Sequence, residues 1–160
     1  MAVDMFLELD GIKGESIDKV HKEKIDLLAW SWGLSNTGTF HGGEGGGAGK
    51  ANFQDISFTK YVDKGSADLM YAIASGKHIA KGKLIVRKAG ENPLEYLTYN
   101  FEKILVSSMS TGGSGGEERL TENVTINFAT VKMEYWTQGE KGAKGKNSNF
   151  GWDIPANAKA

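Results

Sequence analysis

The sequence predicts a mainly β protein, a barrel or sandwich of strands with one amphipathic helix laid over one side. Three observations carry this expectation. Large apolar residues alternate with small or polar ones, most clearly where Leu28, Trp30, Trp32 and Leu34 alternate with Ala29, Ser31, Gly33 and Ser35, the period of two that gives a strand one packed face. One segment alone, Ser66 to Lys77, carries a helical period. Glycine-rich connections separate the strand-like segments, whereas a doubly wound fold needs a helix after nearly every strand.

Taken in order, the amino-terminal MAVDMFLELDG reads as a first strand, and LLAWSWGLS as a strand with one large apolar and one small polar face. The segment ANFQDISFTKYV is a further strand in which Phe53 is out of phase with Ile56 and Phe58, so a bulge or bend is expected between them. In the helical segment Ser66 is expected as N-cap. Leu69 and Ile73 lie one turn apart, Met70 and Ala74 sit beside them, and Gly76 is the stop. KLIVRKA and PLEYLTYNFEKILVSSMS then form a hairpin around GENP, with Pro93 confined to the strand's opening or to an edge. In ENVTINFATVKMEYW, Val124, Ile126 and Phe128 share one phase while Val131, Met133 and Tyr135 share the other. That pattern requires either a bulge near Ala129 or cover on both faces over part of the length. From Thr137 onward a polar Lys/Gly-rich link is expected to lead to a short last strand in FGWDI.

Length and composition narrow the function classes. A chain of 160 residues fits one domain, expected to span residues 1–160. With no cysteine, disulfides, thiolate catalysis and thiolate-held zinc are excluded. The 19 basic and 20 acidic residues are spread along the chain for a net charge of -1, which offers no field to attract nucleic acid or an anionic membrane. The amino terminus carries Asp4, Glu8 and Asp10 where a signal peptide has a basic region and an apolar core, and no apolar run reaches the length of a membrane span. The chain is therefore expected to be made in the cytoplasm and to be inserted in no membrane.

The stretch GGEGGGAGKA, Gly42 to Ala51, invites a phosphate-loop reading and fails it. Glu44 stands where the pattern needs glycine, Ala51 where it needs a hydroxyl, and a strand follows where a helix should present its N-terminus to the anion. The three histidines, His21, His41 and His78, lie far apart with no metal-binding spacing. His78, after the helix, is expected to offset its C-terminal dipole, and His41 to be hydrated in its loop. Glu117 and Glu118 lie beside Arg119 as a solvated cluster rather than an acid/base pair. No G-x-S-x-G elbow is present to activate a serine. No cofactor and no catalytic or metal residue is expected. Trp30 and Trp32 would form a carbohydrate platform if exposed, but their phase with Leu28 and Leu34 favours packing.

Four stretches taken together, LAWSWG, GAGKANFQDISFTKYVDK, SSMSTGGSGGEERLTENVTINFA and FGWDI, resemble the Hcp (haemolysin-coregulated protein) family of bacterial type VI secretion systems, in the family's order and over nearly the whole chain. The resemblance implies a β-barrel of two sheets with one flanking α-helix, similar to phage tail tube subunits. It implies homohexameric rings that stack into an inner tube, driven outward by a contractile sheath behind a VgrG-type spike, and secretion by that route without a signal peptide. It also implies that small effector proteins are carried and chaperoned in the lumen. Ser31, on the small face of LAWSWG, is the residue expected to meet them. The glycine loop His41, Gly42, Gly43, Glu44, Gly45, Gly46, Gly47, Ala48, Gly49 and Lys50 resembles the extended loop that reaches a neighbouring subunit or ring and is expected to gain order there. The sequence departs from the family's pattern at Glu44 and Pro93. The alternative class is a carbohydrate- or protein-binding β-sandwich using Trp30 and Trp32.

Overall fold

The computed structural model describes residues 3–38, 40–42, 46–47, 49–90, 92–139 and 143–160. Strands β1 (Val3–Leu9), β2 (Ile25–Asp26), β3 (Ala29–Ser31), β4 (Leu34–Ser35), β5 (Asn52–Phe53) and β6 (Ile56–Tyr61) precede helix α1 (Ser66–Ser75). After it come β7 (His78–Lys88), β8 (Leu94–Thr111), β9 (Thr121–Gln138), β10 (Lys144–Asp153) and β11 (Ala158–Lys159). The mainly β class, with one α-helix among the described residues, is as the sequence predicts.

The main sheet runs β2-β1-β7-β8-β9-β10-β11, with β6 on β9 and β3 on β6. All its pairings are antiparallel. The ladder is not continuous around the barrel. Residues 25–31 span the gap, joining β1 by the Leu27 amide to the Met5 carbonyl at 3.0 Å and β6 by the Leu28 amide to the Thr59 carbonyl at 2.8 Å. Inside lie Leu7, Ile25, Ile56, Phe58, Leu84, Phe101, Ile104, Ile126 and Val131, each at most 1% exposed. Such burial contributes about 1.5–3 kcal/mol per large side chain.

Strand LLAWSWGLS is shorter than predicted. The ladder stops after Ser31 and resumes as a separate pairing, Leu34 with Phe53 and Ser35 with Asn52, while the Trp32 indole donates to the Gln54 carbonyl at 2.8 Å across the interruption. Trp30 and Trp32 do pack against the core, but Leu28 and Leu34, which both lie outside β3, are 41% and 49% exposed. The bend expected between Phe53 and Ile56 falls at Gln54 and Asp55, between β5 and β6.

Helix α1 corrects the capping assignment. Gly65 occupies the N-cap and makes no side-chain cap, while Ser66 is the first helical residue and is buried. Its hydroxyl accepts from the Asp63 amide at 3.0 Å and donates to the Glu122 carboxylate at 2.5 Å. At the other end Gly76 takes a left-handed φ of 67° and closes the helix as expected. Leu69 and Ala72 face the core, whereas Met70 and Ala74 are exposed. His78 opens β7 opposite Leu105, two residues beyond the Gly76 that closes the helix.

The phase change near Ala129 is not a bulge in the β8–β9 ladder. Glu102 pairs with Thr130 and Ile104 with Phe128 in one register, and the shift in that ladder comes later, between Val106 and Ser108. Instead three adjacent strands change faces along one transverse line: Ile79 to Gly82, Phe101 to Ile104 and Phe128 to Val131 are buried on either side of it. Lys103, at the line's centre, holds a left-handed φ of 53°. There β9 also changes partner, from β6 over Thr121–Ile126 to β10 from Thr130 onward. The predicted carboxyl-terminal link is in part strand. β10 starts at Lys144, and Asn147 pairs with Trp136, because the free edge of β9 supplies hydrogen-bond partners that a polar sequence can use.

Candidate functional site: a hydroxyl-bearing sheet face and a projecting hairpin

The strands β3, β6, β9 and β8 lie side by side, so their period of two sorts side chains into a core face and an outer face. Inward go Trp30, Phe58, Val124 and Ile126. Outward, one register row runs Ser31 to Ser57 to Thr125 to Ser108, four hydroxyls on four adjacent strands. The next row is Ala29, Thr59, Asn123 and Ser110. Ser31 is exposed and stands at the outer edge of this surface.

The row is reinforced where β8 bulges. Ser107 has no partner in the ladder, since Val106 pairs with Ile126 and Ser108 with Thr125, and the extra residue brings two hydroxyls to one threonine. Ser107 and Ser108 lie 2.8 and 2.5 Å from the Thr125 hydroxyl. Ser107 also donates to Asp55 at 2.6 Å, the Asn127 amide donates to the other Asp55 oxygen at 2.9 Å, and Thr59 donates to Asn123 at 2.8 Å. Bulges re-aim side chains in this manner. Sequence reasoning found Ser31 and missed Ser57, Ser107, Ser108, Thr125 and Asp55. The signal for three of them was present in the small or polar residues alternating with Ile56, Phe58, Val124 and Ile126; the serine pair becomes legible only with the register.

The glycine loop is the tip of a hairpin whose base is the two-stranded β4–β5 ribbon. Phe40, His41 and Gly42 form a 3-10 turn, Phe40 is 78% exposed and His41 is exposed. Asn36 donates its amide to the Gly49 carbonyl at 2.7 Å, and the Gly49 amide donates to the Thr37 carbonyl at 3.3 Å. A Cβ on Gly49 would stand 2.5 Å from the Thr37 hydroxyl, and one on Gly46 2.8 Å from the Phe40 ring, so two of the glycines serve close packing. Lys50 is exposed and is followed by strand β5, as argued against a phosphate loop. Gly43, Glu44, Gly45 and Ala48 lie outside the described residues. The loop and Ser31 do not converge on one cluster: Ser31 belongs to the sheet face and the loop to the hairpin beyond β4.

Trp30 and Trp32 are turned inward. Trp30 meets Tyr99 edge-on with centroids 5.4 Å apart, and Trp32 touches Phe53, Tyr99 and Phe128. Burial among these rings raises the Tyr99 phenol above its ordinary pKa. A concavity of about 670 Å³ at the hairpin base is lined by Phe53, Leu105, Phe128, Ile154 and Pro155, with His78 and Lys103 as its ionisable residues among those described. Among the described residues no three His, Cys, Asp or Glu side chains cluster as metal ligands, and no helix is long and apolar enough to cross a membrane.

The fold and this face define a mainly β domain whose exposed sheet carries hydroxyls and which projects a hairpin from one side. A model of the family described as "Type VI secretion system effector, Hcp" matches residues 6–135. Over the whole of both chains the sequence is 58% identical to Protein hcp1 of Pseudomonas aeruginosa. The fold is similar to the crystal structure of Hcp1 from Salmonella typhimurium, with a TM-score of 0.84, 41% identity and all of each chain covered. It is also similar to a structure described as a type six secretion system protein, with a TM-score of 0.93, 30% identity, 99% of this chain and 100% of that one covered. The chain belongs to the Hcp family, the tube proteins of type VI secretion.

Proposed function

We propose that this tube protein assembles as homohexameric rings, with the β3-β6-β9-β8 outer face lining the lumen, and that the rings carry small effector proteins there. The observation that carries this reading is the row Ser31-Ser57-Thr125-Ser108. A sheet that packs its large apolar side chains on one face and presents hydroxyls on the other has a wall that can slide past or hold a polar surface without sticking to it. The hairpin tip, with Phe40 and His41 exposed, contacts a neighbouring subunit or ring. Part of the contact's free energy offsets the ordering of the tip. In this reading the protein is not an enzyme and needs no cofactor. It engages the contractile sheath and a VgrG-type spike, is made in the cytoplasm, and leaves through the secretion apparatus without a signal peptide.

Negative-stain imaging with native mass measurement of the purified protein tests the reading. The expected result is a ring of six copies around an open pore. A strictly monomeric protein at high concentration, with no rings, would overturn it.

A further inference from the structure

Asp55 is the only ionisable residue in the four segments that build the hydroxyl face, residues 29–31, 55–59, 107–110 and 123–127. It is half-buried. Its two oxygens each accept one hydrogen bond from a neutral donor, Oδ2 from the Ser107 hydroxyl at 2.6 Å and Oδ1 from the Asn127 amide at 2.9 Å. Among the described residues no Lys, Arg or His stands within ion-pair distance of it. A carboxylate can accept about four hydrogen bonds, so the two donors fix its orientation and leave both its charge and part of its accepting capacity unused. The bulge at Ser107 is what brings the first donor there.

We infer that Asp55 selects the charge of the cargo: a segment held on the hydroxyl face places a lysine or arginine against this carboxylate, and acidic segments are turned away. The inference rests on the ring reading above. Cyclic repetition sets the same carboxylate at one height in every copy, giving a belt of one sign among four segments that hold no other ionisable residue. A confined space lined by one sign of charge focuses the field more than a flat surface does. Hydroxyl rotors supply adaptable hydrogen bonds and little discrimination, so the fixed charge provides the selectivity, and by repulsion as much as by attraction.

The test uses the assembled full chain and two labelled twelve-residue peptides, four repeats of Gly-Ser-Lys and four of Gly-Ser-Glu, with fluorescence anisotropy at low salt as readout. Wild-type rings are expected to bind the lysine peptide at least about fivefold more tightly than the glutamate peptide. The preference is expected to collapse towards unity in Asp55→Asn and to shrink as salt is raised. Asn127→Lys keeps the carboxylate but supplies an internal cation, and is expected to remove the preference as well; it is read in place of Asp55→Asn should that variant not form rings. Rings that bind both peptides alike, or an Asp55→Asn ring with its preference intact, would overturn the assignment and leave the tube reading standing. A wild-type protein that forms no rings overturns both.

Discussion

Lys60 of β6 and Glu122 of β9 are register partners that both point into the core, where they form an ion pair at 0% and 1% exposure. The ammonium also reaches Asp63 at 3.1 Å and the Ser66 hydroxyl at 3.2 Å, so the pair anchors the first turn of α1 to the sheet. Glu122 Oε2 is buried without a hydrogen-bond partner, an incomplete satisfaction that adds to the desolvation cost. Lys60→Met strands the Glu122 carboxylate, and we expect it to lower unfolding free energy by about 3–5 kcal/mol. Lys60→Met with Glu122→Leu recovers most of that loss, because desolvation offsets much of what the pair gains. Urea denaturation midpoints check this. A double variant as unstable as the single one would show that the pair itself is a net source of stability.

Acid sensitivity is expected to centre on the clip between Arg87 and Asp18. The Asp18 carboxylate accepts from Arg87 at 2.6 and 3.0 Å and from the amides of Val20 and His21, both at 3.1 Å. The Arg87 hydrogen bonds hold it well below the usual carboxylate range. A folded pKa below the unfolded one of 3.8 contributes stability at neutral pH that is lost as pH falls below about 4, where the unfolded chain takes up the proton first. Asp18→Asn therefore costs about 1–2 kcal/mol at pH 7, with the gap to wild type narrowing towards pH 2. Asp26 has the opposite sign, since burial raises its carboxyl, and Asp26→Asn is expected to be neutral or stabilising at pH 7. Denaturation midpoints from pH 2 to 7 separate the two; an Asp18→Asn deficit that is constant across the range would overturn the assignment.

The sequence made legible those elements whose hydrophobic pattern and turn chemistry agree. The β7–β8 hairpin, the stop at Gly76 and the break between Phe53 and Ile56 all follow from local rules. Three features escaped because their causes are non-local. The first half of β10, Lys144 to Asn149, has no apolar alternation and is a strand because β9 has an edge to pair with. Ser66 lost the capping role to Gly65 because its hydroxyl is drawn into the Lys60–Glu122 pair. The hydroxyl row needs the register of four strands, although Ser31 was marked by its phase against Trp30. The pair itself left a trace that could have been read: Lys60 shares the phase of Ile56 and Phe58, and Glu122 that of Val124 and Ile126, so a charge in each core pattern called for a partner.

Lys103 sits at the line where β7, β8 and β9 change faces, exposed and with a φ of 53°. A left-handed conformation costs a residue with a Cβ about 1–2 kcal/mol, partly offset in glycine by the entropy it loses on folding. Lys103→Gly is accordingly expected to stabilise by about 0.5 kcal/mol and Lys103→Val to destabilise by about 1–2 kcal/mol, since β-branched residues tolerate this region least. Thermal denaturation of the two variants checks the order. If valine is tolerated better than glycine, the face change does not depend on backbone conformation at Lys103.

Ser31 offers the sharpest separation between assembly and cargo. Its side chain is exposed on β3 while its neighbour Trp30 packs on Tyr99, so a large charged replacement meets solvent rather than core. Ser31→Arg is expected to change unfolding free energy by no more than about 0.5 kcal/mol, the usual range for a surface substitution. Native mass measurement should still find rings of six if Ser31 faces the proposed lumen. Co-purification of a small effector protein expressed with the ring is expected to fall at least about tenfold, as the added bulk and charge of six copies narrow one height of the wall. Loss of the ring would place Ser31 at a subunit contact, and intact rings with undiminished effector would move the holding surface elsewhere on the sheet.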